Sequence, residues 1–517
     1  MQSMMHHWVI ERANLAEVVR LAHWLAVIVR NGDLIALRGD LGTGKTTFAR
    51  ALIAALVGLD EAEVLSPTFA IAQAYDGERL TIHHFDFYRL NHSTEVLELG
   101  FEDALDSGIA IVEWPEVAED MLPGERLEIA MSDGSGPGER RLSLHGHGGW
   151  SKRLARLQAM AVFVASYGWQ TGQPLVLLGD ASPRAYTRLA KDAATSILMD
   201  APRQPDGPPI RDGLPYSKLA HLAEDVRPYV AVAGALRASG LSVPEIYGYD
   251  LEAGFLLIED FGHDVYGRLI DCGHDITELY QPAVDALIHL AAAPPPKVLA
   301  LPDGSEHELA QYDGGAFLIE VELLVDWYLP AVSGRAVAPD VRQVFVDLWR
   351  QQITHVVDGQ GWVLRDFHSP NLMWLSERKG MRRVGILDFQ DALRGHPAFD
   401  LASLCQDARL EVPEAVEAAL VERYCAGTRE LGDQFEECHL RHAYAVLGAQ
   451  RNTKILGIFA RLAIRDGKKA YLQHVPRIKR YLARNLAHPA LATLRLWYDR
   501  HLPEDSLTHA NIGAEGQ

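Results

Sequence analysis

An α/β protein of more than one domain is what the sequence predicts, on three observations. Gly39-Asp40-Leu41-Gly42-Thr43-Gly44-Lys45-Thr46 matches GxxxxGK[ST] without a gap, between the apolar run 34–37 and a helical pattern opening at Thr47. Far downstream, Asn371 follows Asp366 by five residues, and Asp388 closes an apolar run seventeen residues beyond Asn371. The length of 517 residues exceeds what one hydrophobic core usually serves, so about two to four domains are expected.

The first half reads as a P-loop NTPase domain ending near residue 150. Apolar positions at Leu15, Val18, Val19, Leu21, Ala22 and Leu25 give a helical period, and the strand 34–37 leads into the glycine loop. There Gly39, Gly42 and Gly44 let backbone N–H groups close around phosphate oxygens at a helix N-terminus, with Thr43 in the loop and Thr47 in the first helical turn. Lys45 would reach the terminal phosphates and Thr46 would offer its hydroxyl to Mg²⁺. Strands 70–75 and 80–85 flank the hairpin signal Asp76-Gly77, and the return strand delivers Asp86. Another apolar strand, 109–112, delivers Glu113 and Trp114. Two acids at strand ends near a phosphate loop suit a division of labour, one holding Mg²⁺ and the other orienting the attacking water. A last hairpin pairs 127–131 with 141–145.

GDLGTGKTTFAR, SPTF, HHFDFYRL and VEWPE, in that order over roughly residues 8–148, resemble the TsaE family. That resemblance implies an ATPase of tRNA threonylcarbamoyladenosine synthesis working with TsaD and TsaB partners, with tRNA contacted indirectly if at all. It also implies that Lys45 and Thr46 serve phosphate and Mg²⁺, that Asp86 is a metal-side acid, and that Glu113 and Trp114 lie in the site. Ser66 and Thr68 fall in its switch-like segment.

Residues 151–170, with an amphipathic helix over 151–167, are expected to link this domain to a second one over 171–504. That domain opens with a flap-like hairpin containing Ser182, Arg184 and Arg188. Asp366, Asn371 and Asp388, each placed after an apolar strand, reproduce the kinase order HRDxxxxN followed by a DFG-like Asp. Asp366 would accept the proton of the attacking hydroxyl, and Asn371 and Asp388 would ligate Mg²⁺. A bilobal, protein-kinase-like domain with a helical C-lobe is predicted, its N-lobe covering about 171–262 and its C-lobe about 263–504, before a loose tail at 505–517.

LDFQDA and GHPAFDLA resemble the aminoglycoside phosphotransferase family, in which Asp400 would brace the catalytic loop. GDASPRAY, SILMDAP, SGLSVPEIYGYD, LLIEDFG and DWYLP further resemble the anomeric sugar kinases of the AmgK type, which phosphorylate N-acetylmuramate and N-acetylglucosamine at C1 in cell-wall recycling. By that resemblance Leu256 to Phe261, with Glu259 and Phe261, is the hinge between lobes whose backbone meets the adenine. One departure stands out: Leu198 or Met199 occupies the place of the phosphate-pairing kinase lysine, so Arg184 or Arg188 is expected to supply the charge. Glu322 and Asp326, four apart on a helix, read as a solvated face, with a sugar contact as the alternative, and Arg451 to Lys454 as candidate lining of the acceptor pocket.

The formal charge of −20 argues against a broad nucleic-acid face and leaves room only for a local basic patch. No apolar run reaches the length of a membrane span and no leader is evident, so a cytoplasmic location is expected. The four cysteines, without zinc-like spacing, are expected to be buried free thiols, and His6-His7 and His83-His84 to be structural. The expectation is a bifunctional fusion using ATP and Mg²⁺. Two alternatives stand: a kinase for an aminoglycoside, choline or homoserine, or a nucleotide-switched scaffold with a pseudokinase module.

Overall fold

A computed structural model describes residues 6–65, 67, 71–177, 184–432 and 436–502. The chain divides into two compact bodies at residues 202/203, 245/246 and 260/261, the first body taking back residues 246–260.

The first body begins with β1 (His6–Ala13), α1 (Leu15–Ile28), β2 (Leu34–Arg38), α2 (Lys45–Val57), β3 (Ala72–Asp76), β4 (Thr81–Asp86), α3 (Glu95–Glu98), α4 (Phe101–Ser107), β5 (Gly108–Glu113), β6 (Leu127–Asp133) and β7 (Arg140–Gly146). Seven strands form one sheet in the order β1-β7-β6-β2-β5-β4-β3. β2 lies parallel to β5 and β6, and β5 parallel to β4, while β3, β7 and β1 run antiparallel at the flanks. Strand β5 is buried along its whole length, as expected where both faces of a sheet are covered. Alternation divides its side chains: Ile109 and Ile111 join the core beneath α1 and α2, and Ala110 and Val112 join a second cluster with Phe85, Phe87 and Phe101.

Helix α5 (Gly149–Ser166) then leads into β8 (Gln173–Val176), β9 (Ala185–Lys191) and β10 (Ala194–Asp200). With strands Ile246–Asp250 and Phe255–Glu259 these make an antiparallel five-stranded sheet, in which Phe255–Glu259 lies between β10 and Ile246–Asp250. α5 buries Trp150, Leu154, Leu157, Met160, Phe163 and Val164. These side chains share one hydrophobic core with Leu21 and Leu25 of α1 and with Leu189, Leu198, Phe255 and Leu257 of the five-stranded sheet. Arg156 of α5 pairs with Asp200 and places its guanidinium 3.8 Å from the centre of the Phe255 ring. The segment expected as a linker thus packs into a core common to both sheets.

The second body is largely helical. Its catalytic-loop region carries two small antiparallel pairs, Gly361–Val363 with Leu393–Gly395 and Leu372–Trp374 with Val384–Ile386. The helix Glu437–Arg465 is 29 residues long and packs against the π-helical turn Leu324–Tyr328. Gly457 permits that approach, since a Cβ there would lie 2.3 Å from the Leu323 carbonyl carbon.

All four cysteines are free, but only Cys405 and Cys425 are buried; Cys272 and Cys438 are exposed, against expectation, because their segments lie at the molecular surface. Among the described residues no helix is long and apolar enough to cross a membrane.

Two candidate nucleotide sites

In the first body the β2–α2 connection forms the glycine loop. Gly39, Gly42 and Gly44 have φ of 137°, 85° and 101°, and a Cβ on Gly39 would lie 2.2 Å from the Met131 carbonyl oxygen. The first of these positions therefore requires glycine twice over, by conformation and by space. Lys45 Nζ donates to the carbonyls of Gly39 at 2.6 Å and Asp40 at 3.0 Å, and lies 3.8 Å from the centre of the Trp114 ring. Burial lowers the pKa of its ammonium. Trp114 itself sits in the left-handed region at φ 59°, a strained conformation for a large residue.

The parallel register of β4 and β5 sets Asp86 beside Glu113. Thr46 Oγ1 donates to Glu113 Oε2 at 2.8 Å, and His84 Nε2 lies 3.0 Å from Glu113 Oε1. Burial, with the Glu113 charge beside it, raises the pKa of Asp86. These clustered oxygen donors suit a small hard cation such as Mg²⁺. Arg140, at the start of β7, donates to the loop carbonyls of Thr43 at 2.9 Å and Gly42 at 3.3 Å. Thr47 is exposed in the first turn of α2. His84, read as structural from sequence, touches the site, and Arg140 supports it from another strand.

In the second body Asp366 follows the strand Gly361–Val363. Its neighbour Arg365, at φ 69°, is buried; Nη1 donates to the Ala220 carbonyl at 2.7 Å and Nη2 to Glu320. Asn371 Nδ2 donates to the Asp366 carbonyl at 3.0 Å and lies 3.5 Å from Asp388 Oδ2. Asp388, at φ 55°, also accepts from Gln390 Nε2 at 2.8 Å. Asp400 accepts the backbone N–H groups of Leu364 at 2.6 Å and Arg365 at 2.9 Å, which ties down the start of the catalytic loop. Burial pushes the Asp400 carboxyl up to about 7, against the opposing pull of those two donors. Asn371 and Asp388 again offer oxygen ligands of the kind Mg²⁺ takes.

The model of the phosphotransferase enzyme family matches residues 175–434, and that of the threonylcarbamoyl adenosine biosynthesis protein TsaE matches residues 12–142. An N-acetylmuramate/N-acetylglucosamine kinase of Caulobacter vibrioides is 40% identical over 361 residues, 68% of this chain and 98% of that relative. A kinase of the same description from Pseudomonas aeruginosa is 35% identical over 64% of this chain and 90% of its own. A tRNA threonylcarbamoyladenosine biosynthesis protein TsaE of Rickettsia felis is 39% identical over 22% of this chain and 67% of its own. The chain belongs to both families. It is an ATP-using enzyme with a TsaE-type ATPase part and a phosphotransferase part, and its oxygen-donor sets fit the Mg²⁺ such enzymes need.

Within the phosphotransferase part, Leu198 and Met199 are wholly buried on β10, so no cation stands in that strand where kinases carry lysine. Arg188 of β9 is forked onto Asp260, with Nε 2.6 Å from Oδ2 and Nη2 2.8 Å from Oδ1. Arg184 precedes β9 and is half-buried; Ser182, like Ser66 and Thr68 of the TsaE part, lies outside the described residues. Glu259 ends its strand opposite Ser196, and the Phe261 ring lies 5.2 Å from the Arg378 guanidinium.

One expectation is corrected in part: of the pair read as a solvated face, Asp326 is exposed, but Glu322 is 2% exposed and binds Arg211 at 2.7 Å and Arg342, which also binds Asp326. Arg451, Asn452 and Thr453 are buried and engaged by Gln406, the Ala449 carbonyl and Tyr498. Lys454 donates to Glu320 at 2.7 Å and feels the Asp366 charge.

Proposed function

We propose that the chain is a bifunctional enzyme: an ATPase serving tRNA N6-threonylcarbamoyladenosine formation together with TsaD- and TsaB-like partners, and an anomeric kinase for N-acetylmuramate and N-acetylglucosamine that feeds cell-wall recycling. The observation that carries the kinase reading is the Asp366–Asn371–Asp388 constellation within a stretch of 361 residues that is 40% identical to a kinase so described.

In the kinase part Asp366 accepts the proton of the C1 hydroxyl as its oxygen bonds to the γ-phosphorus, and the bond to the β–γ bridging oxygen breaks to release ADP. Asn371 and Asp388 would hold Mg²⁺, which would supply positive charge for the phosphates. Arg188 or Arg184 supplies the positive charge that β10 lacks, with Ser182 on the same flap and the hinge from Leu256 to Phe261 meeting the adenine. The fork of Arg188 onto Asp260 supports Arg188 as the arginine held in a fixed geometry.

In the ATPase part Gly39, Gly42, Thr43, Gly44, Lys45 and Thr47 cradle the phosphates. Thr46 and Asp86 would hold Mg²⁺ with Glu113 at hand, and Glu113 would also orient the attacking water. Its hydrogen bonds to Thr46 and His84 fix the carboxylate in place for either task.

The test uses labelled ATP with both sugars, an aminoglycoside and choline, on the wild-type chain, Lys45→Ala and Asp366→Asn. Asp366→Asn is expected to lose sugar phosphorylation and keep ATP hydrolysis by the first part, and Lys45→Ala to do the reverse. Transfer to choline or the aminoglycoside instead of either sugar would refute the acceptor assignment.

A further inference from the structure

The helix Glu437–Arg465 packs against the helix Gly314–Val321, which carries Glu320. From the longer helix Gln450 Nε2 donates to Glu320 Oε2 at 2.9 Å and Lys454 Nζ to Oε1 at 2.7 Å. Arg365, next to Asp366, binds the same carboxylate. Glu320 is wholly buried; burial alone would raise its carboxyl, yet Lys454 and Arg365 hold it down at about 2. One fixed carboxylate is therefore shared by two cations.

Two turns beyond Lys454, Arg461 stands on the same helical stripe. Its guanidinium lies 5.4 Å from the centre of the Tyr216 ring. Tyr216 opens the short helix Tyr216–Leu219, and the residue after that helix, Ala220, gives its N–H to the Tyr216 carbonyl at 2.9 Å and accepts from Arg365 at 2.7 Å, which puts Tyr216 beside the same cluster. Arg461 lacks what Arg365 and Lys454 have. Its Nε is buried without a hydrogen-bond partner among the described residues, and Asp466, the acid whose field reaches it, is forked by Arg465 at 2.7 and 2.9 Å. A guanidinium presents a planar fork that matches a carboxylate, and among the described residues no carboxylate pairs with this one.

The two proposed acceptors differ by one group. N-acetylmuramate is N-acetylglucosamine carrying a lactyl ether that ends in a carboxylate. Seven residues of helix separate Lys454 from Arg461 by about 10 Å, the scale of a hexose with a short acid arm. We infer that Arg461 is the specificity residue of the acceptor site, binding the lactyl carboxylate of a sugar whose C1 hydroxyl faces Asp366. The inference rests on the amino-sugar kinase reading given above.

The experiment measures kcat and KM for each sugar, and KM for ATP, on the full chain with wild type, Arg461→Gln and Arg461→Lys, with melting temperatures as a check on folding. The ratio of kcat/KM for N-acetylmuramate to that for N-acetylglucosamine is expected to fall about tenfold or more in Arg461→Gln, chiefly through KM for N-acetylmuramate. Arg461→Lys, which keeps the charge and loses the fork, is expected to fall between. An unchanged ratio, whether both rates drop together or neither moves, overturns the inference, since a purely structural anchor for Tyr216 would act on both sugars alike. A change confined to KM for ATP overturns it too, assigning Arg461 to the nucleotide. Wild-type protein inactive on both sugars is a different failure: it sinks the kinase reading itself, and the inference with it.

Discussion

Glu113 occupies a crowded position: one carboxylate oxygen takes the Thr46 hydroxyl and the other meets His84, with Asp86 beside it in register. Glu113→Gln keeps the shape and one acceptor, so nucleotide should still bind, while hydrolysis by the first part should fall about 100-fold or more. Phosphate release measured alongside binding of a fluorescent nucleotide separates the two effects; equal loss of both would make Glu113 a binding group. Asp86 and Glu113 were legible as acids at strand ends. His84 is not legible as a site residue, because an adjacent histidine pair on a strand says nothing of Glu113 on the neighbouring strand, which His84 meets from the same face of β4 as Asp86. A different histidine makes a pH prediction. His396 Nδ1 accepts the Ala398 N–H at 3.2 Å, and burial lowers its pKa to about 4. An unfolded histidine titrates near about 6.5, so between those values the unfolded chain binds more protons. His396 thus costs nothing above about pH 6.5 and destabilises increasingly as pH falls toward 4. His396→Asn, which keeps an acceptor, should flatten that part of the profile, as urea midpoints at pH 7, 5.5 and 4.5 would reveal.

Elements were read more completely than the contacts between them. The hairpin at Asp76-Gly77, the strands ending at Asp86 and Glu113, and the helical tail all follow from local period and turn chemistry. Contacts between distant segments do not. Glu322 looked solvated because helical spacing reveals which residues share a side, not that Arg211 from one hairpin and Arg342 from another helix converge on it. Gly457 is of the same kind: alone in a helix it reads as a weak point, and only the Leu323 backbone shows why it is there. Gly457→Ala gains helix propensity but must push the helix off that backbone, at a cost of about 1–3 kcal/mol. Its melting temperature should fall by several degrees, with kinase activity impaired; a rise would mean that the turn yields at no cost.

On the scale of the molecule, the two families meet in one core rather than across a linker. Sequence could not show this, because the amphipathic stripe of α5 states that the helix is half-buried without naming what covers it. In the structure Leu157 is wholly buried in the cluster shared by α1 and the five-stranded sheet. Leu157→Ala should cost about 2–5 kcal/mol, and heat inactivation of the variant should remove ATP hydrolysis and sugar phosphorylation at the same temperature. Loss of one with survival of the other would show that the core is divisible. A joint core also means a joint lifetime. A protease that catches α5 in an open state finds the strands of both halves loosened, so neither activity outlives the other. Whatever the rate of synthesis, one chain delivers its two catalysts at a ratio of one to one, and the shared core keeps that proportion as molecules unfold.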